Sequence, residues 1–153
     1  MQLNPEDLRI GNLVYYQTSE NGLVPNVIDC EDLKRCVEHP ESFNEEYKGI
    51  PMNWALCEAI GLQFEEFGNY GLWKGTIGEW GVFDLYHDSD GFFWRPNSTM
   101  GLKCEFFHQF ENALYFNTGE VFFPNRELLK ERLEPSKLVV EILSDLNGED
   151  LPF

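Results

Sequence analysis

The sequence predicts one α+β domain, a twisted antiparallel sheet with several short helices packed on it. Three observations carry this. The chain has 153 residues, the length of one domain, and a chain of that size buries roughly two-thirds of its unfolded surface. Residues 62–106 alternate apolar and polar positions between glycine-rich turns, the signature of antiparallel strands. Residues 107–117 then change period, with Phe107, Phe110 and Leu114 on one helical face. Apolar residues make up 42% of the chain, including thirteen Phe and four Trp, enough for a core and against disorder outside the ends.

Taken in order, Asn4-Pro5-Glu6-Asp7 carries a helix-start pattern over residues 4–9: a capping Asn, Pro at the first position, then acids at the positive end of the dipole. Leu13–Gln17 is rich in strand formers. Asn21-Gly22 signals a tight reversal. Leu23–Cys30 is the return strand, pushed toward an edge by Pro25. Glu31–Glu38 reads as a short helix. His39–Gly49, polar and interrupted by Pro40, reads as a surface loop. Asn53 caps a helix over Trp54–Ile60, which Gly61 stops.

In the strand-rich middle, the turns are Phe67-Gly68-Asn69, Gly75-Thr76-Ile77-Gly78 and Asp88-Ser89-Asp90-Gly91. Trp80, Val82, Asp84 and Tyr86 share one face of a strand, and Gly81, Phe83, Leu85 and His87 the other. Phe92–Arg95 closes a hairpin and Leu102–Phe106 adds a strand. After the helix of 107–117, Thr118-Gly119 stops it, Glu120–Phe123 reads as a strand, and Arg126–Leu133 and Ser136–Leu146 as two helices split by Pro135. Leu128, Leu129, Leu133, Leu138, Val139 and Ile142 are their packing residues. Residues 1–146 form the domain and 147–153 an acidic tip.

The formal net charge is −16, from 11 Lys and Arg against 27 Asp and Glu. So few cations cannot neutralise a phosphate backbone, which argues against direct nucleic-acid binding and against anionic membranes. The N-terminus lacks the basic region and apolar run of a signal peptide, and no stretch is long enough to span a bilayer. The expected location is the cytoplasm of a bacterial host. Cys30, Cys36, Cys57 and Cys104 form no Cys-x-x-Cys pair and are expected as free thiols. Cys36-x-x-His39 with Cys30 upstream falls short of a zinc site by one ligand. Asp88-x-Asp90-Gly91 shares the start of a calcium loop but lacks its later ligands. No cofactor is expected.

Leu8-Arg9-Ile10-Gly11-Asn12-Leu13-Val14, Gly49-Ile50-Pro51-Met52, and His108 to Phe116 followed by Thr118-Gly119-Glu120 resemble, in this order, segments of a family of small uncharacterised proteins of Bacteroidetes prophages and mobile elements. The resemblance spans positions 8 to 120. It implies a compact α+β fold in a bacterial or phage setting and no catalytic residue.

Glu149-Asp150-Leu151-Pro152-Phe153 resembles the acidic C-terminal tip of bacterial single-stranded-DNA-binding proteins. Phe153 suits an apolar pocket, Pro152 stiffens the approach, and Glu149 and Asp150 steer toward a basic rim. The sequence thus points first to a non-enzymatic interaction protein that docks this tip on a host DNA replication or repair protein. One alternative is an acidic nucleic-acid mimic that occupies a defence or restriction protein. The other is a small hydrolase or nucleotide-binding enzyme using His87 or His108 with carboxylates such as Asp84 or Glu111. His108 and Glu111 or Asn112 share a helix side, although no nucleophile motif accompanies them. Trp73, Trp80, Phe92, Phe93 and Trp94 fit either a core or an exposed interface.

Overall fold

The computed structural model describes residues 2–20, 22–95 and 101–135. The α+β class holds, with the strands divided between two antiparallel sheets. In the first, β1 (Leu13–Thr18) lies between β2 (Gly22–Val27) and the short β3 (Tyr47–Lys48). Pro25 therefore sits on an edge strand, where its missing N–H costs no ladder bond on the open side. The second sheet is a meander of β4 (Gln63–Phe67), β5 (Tyr70–Ile77), β6 (Gly81–Asp88), β7 (Gly91–Trp94) and β8 (Leu102–Lys103), paired in sequence order. Five helices complete the described fold: α1 (Cys30–Glu38), α2 (Pro40–Glu46), α3 (Trp54–Ala59), α4 (Phe107–Thr118) and α5 (Arg126–Arg132).

The helix boundaries follow local chemistry. The Asn53 side chain accepts from the Leu56 N–H at 2.8 Å and starts α3. Gly119, at φ +73°, ends α4 in the left-handed conformation that side chains resist. Asp29 and Asp32 form a reciprocal capping box on α1.

Strand β1 organises the interior because its two faces enter different cores. Leu13 and Tyr15 join the larger core, with the inner face of the five-stranded sheet, α3, α4 and α5. Val14 joins a smaller core with Leu3, Leu8, Ile28, Cys36, Phe43 and Tyr47. Fully burying a side chain such as Phe107, Phe110 or Leu114 stabilises by about 1.5–3 kcal/mol.

Four expectations need correction. Residues 4–9 form a turn, not a helix start: Asn4 Oδ1 accepts from the Glu6 N–H at 3.1 Å, and the Asp7 N–H donates to the Asn4 carbonyl at 3.0 Å. An Asn side chain that bonds two residues ahead competes with helix propagation. Residues 39–49 are not a loop but α2 and β3. Pro40 occupies the first helical turn, where its fixed φ helps, and Phe43 anchors the segment by stacking on Tyr47 at 4.2 Å. The strand expected over 102–106 stops at Lys103, because the Glu105 and Phe106 N–H groups turn to the Gln109 side chain and start α4. Residues 120–123 are irregular, with Phe123 at φ +53°, so Phe122 reaches Phe83 and Phe110 without a strand. The helix expected over 136–146 and the tip lie outside the described residues. No helix among the described residues is long and apolar enough to cross a membrane.

Candidate functional site

Alternation along the meander separates the aromatics cleanly. Trp73, Phe83, Leu85, Phe92 and Trp94 point inward and are buried. Trp80 stays 47% exposed and Val82 65% exposed. Register then puts Leu72, Tyr86, Phe93 and Lys103 side by side across four strands on the outer face. Tyr70 and Phe67 pair beside them at the end of β4. None of these outer residues is buried, so the face is open among the described residues.

The outer aromatics form a continuous row. Phe67 stacks on Tyr70 at 5.5 Å, Tyr70 on Tyr86 at 5.0 Å, and Tyr86 meets Phe93 edge-on at 6.2 Å. Arg95 closes the row, with its guanidinium 4.0 Å from the Tyr86 centroid and 5.9 Å from that of Phe93. Such cation–π and diagonal cross-strand contacts hold the rings in place. Because Phe67, Tyr70 and Tyr86 lie nearly parallel, their π-faces turn to one another. Charges frame the row: Lys74 bridges Glu65 at 2.5 Å, and Asp84 lies opposite Lys74 in register.

The histidines occupy different surroundings. His87 faces the core, accepts from the Trp73 indole N–H at 3.3 Å and stacks on Phe92 at 3.9 Å. Burial pushes its pKa down to about 4, against the pull of Asp88. Asp84 points to the opposite, exposed face, while Asp88 accepts from the Asp90 N–H within the hairpin turn at 2.8 Å. His108 is 1% exposed, burial pushes its pKa down to about 4, and its Nδ1 meets no hydrogen-bond partner among the described residues.

Glu111 and Asn112 hold the chain together. Glu111 accepts from the Leu13 N–H at 3.0 Å, from Asn12 and from Arg126. Burial pushes its carboxyl above the ordinary range, and Arg126, the Leu13 N–H and Asn12 pull it back. Asn112 accepts from Arg9 at 3.1 Å and Asn12 at 2.9 Å and donates to the Asp7 carbonyl at 2.7 Å. Arg9 also lies 3.8 Å over the Tyr115 ring. The segments around Arg9 and Glu111, far apart in sequence, are thus clipped to each other; Glu111 and Asn112 are taken up in that clip, and His108 lies outside it.

The cysteines are free: Cys30 is exposed, and Cys36, Cys57 and Cys104 are buried. Burial pushes the Cys104 thiol up to about 12. Among the described residues no group of three His, Cys, Asp or Glu side chains is placed to hold a metal ion. Glu149, Asp150, Leu151, Pro152 and Phe153 lie outside the described residues. Sequence reasoning passed over Phe67, Tyr70 and Arg95. The signal was present in β6, where Tyr86 and Val82 put apolar residues on the face opposite Phe83 and Leu85.

No family model, curated protein or solved structure matches this chain.

Proposed function

We propose that this chain is a non-enzymatic protein-interaction module, and that it meets its partner through the aromatic row on the outer face of the five-stranded sheet. The observation that carries the reading is the Phe67-Tyr70-Tyr86-Phe93 row capped by Arg95, rigid by mutual stacking and open to solvent. Tyr and Arg dominate binding hot spots because they bring large contact area with few rotamers to freeze. A rigid row also loses little entropy on association.

The partner belongs to the same proposal: a host DNA replication or repair protein, with Glu149, Asp150, Leu151, Pro152 and Phe153 as a second contact. That part, and the setting in a phage or mobile element in a bacterial cytoplasm, rests on sequence resemblance alone. Capture from bacterial lysate with three chains tests both parts: the natural chain, the triple variant Tyr70→Ser, Tyr86→Ser, Phe93→Ser, and a chain lacking residues 151–153. The reading expects a partner held by the natural chain and lost by the triple variant. Identical captures from the natural chain and a folded triple variant would overturn the aromatic face. Loss only on removing 151–153 would move recognition to the tip.

A further inference from the structure

A second feature lies apart from the aromatic row. A cavity of about 270 Å³ opens between the end of α3, the end of β5 and the irregular segment before α5. Ile60, Leu62, Ile77, Phe122, Phe123 and Pro124 line it. Its size is just below the range usual for small-ligand sites, about 300–1,000 Å³, which suits an occupant of about one ring. Three further observations converge on it. Phe123 holds φ +53°, the one described non-glycine residue with positive φ, and such strain collects at binding sites. Arg132 lies with its guanidinium 5.1 Å from the Phe123 ring centroid, and its Nη1 is 3.9 Å from where a Cβ on Gly61, another lining residue, would sit. That guanidinium donates to the Ala59 carbonyl at 3.3 Å and forms no ion pair with a described carboxylate, in a chain with 27 acids. The Glu120 carboxylate, which lies beside the lining residue Gly78, accepts from the Glu79 and Trp80 N–H groups at 3.1 and 3.5 Å.

We propose that this cavity binds a small carboxylate with an apolar body, the ring or short chain lying on Phe122 and Phe123 and the carboxylate meeting Arg132. A guanidinium with donors to spare at the mouth of a cavity lined by apolar side chains and by polar groups around Thr76 and the neighbouring glycines recognises a carboxylate by charge-assisted hydrogen bonds. The site is independent of the aromatic row, and its failure leaves that reading intact.

Titration of the ¹⁵N-labelled full chain with phenylacetate, hexanoate and the neutral isostere phenylacetamide, followed by amide shifts of Gly61, Gly75 and Gly78, tests it. The expected result is saturable shifts with a carboxylate and at least about tenfold weaker binding of the amide, as one charge-assisted contact supplies. Arg132→Gln should bring the carboxylate down to the amide's affinity. Absence of saturable shifts with both carboxylates, equal binding of phenylacetate and phenylacetamide, or undiminished binding by a folded R132Q chain would each overturn it.

Discussion

The inner and outer faces of the five-stranded sheet are built from the same strands and are both aromatic, yet they do different physical work. Inside, Trp73 packs edge-on against Trp54 at 4.6 Å, and Phe83 touches Trp94, Phe110 and Phe122. Each inner ring is enclosed on several sides. Outside, Phe67, Tyr70, Tyr86 and Phe93 touch mainly one another and Arg95. Removing an inner ring leaves a void; removing an outer one leaves water. Aromatic content alone therefore says little about role. What decides it is whether a second layer arrives on that face, and α3, α4 and α5 all contribute to the core on the inner side.

The largest effect expected from this contrast is at Trp73. Trp73→Ala should cost about 3–5 kcal/mol by chemical denaturation, the range for emptying a buried aromatic site. A loss under 1 kcal/mol would erase the distinction between the faces. Next comes the polar clip behind the inner face. Arg126→Ala leaves Glu111 buried without its cation and should cost about 3 kcal/mol, partly recovered in the double variant R126A/E111Q, whose uncharged amide oxygen still accepts from the Leu13 N–H.

Acid sharpens the comparison further. His87 and His108 are neutral in the fold, with pKa values pushed down to about 4 by burial. Unfolded, each titrates near 6.5. Between pH 6.5 and 4 the unfolded state binds more protons, so stability is full above pH 6.5 and falls through that window. The loss should reach about 2–3 kcal/mol per histidine at its lower end. Unfolding free energies of the natural chain and His108→Leu, measured across this range, should diverge in slope, with the variant flatter. The smallest effect belongs to the outer face: Tyr86→Ser should cost about 1–2 kcal/mol, as the half-buried ring gives up its contacts with Tyr70, Phe93 and the Arg95 guanidinium. A larger loss would make the row a structural element.

The legible parts of the fold were those with local causes. The Asn53 cap, the Gly61 and Gly119 stops and the alternation of Phe83, Leu85 and His87 against Val82, Asp84 and Tyr86 all appear as read. The misreadings share a cause too. Pro40 reads as a breaker in the sequence but starts α2, and its role depends on Phe43 finding Tyr47. Residues 120–123 have strand-forming composition, but Glu120 binds a turn 40 residues earlier and bends the chain away. The outer row was half legible. Tyr86 could be assigned to the face opposite Phe83, but its contacts with Tyr70 and Arg95 require the register of β5, β6 and β7.

By itself, then, the sequence determined the class, the acidity, the placement of most helix ends and the strand-rich middle, because capping, glycine conformation and period-two patterning act over a few residues. Only the tertiary structure decided that the strands form two sheets, that His108 and Glu111 are buried, and that one aromatic face stays open. Those outcomes depend on which distant surfaces meet, and burial is a property of the meeting rather than of either segment.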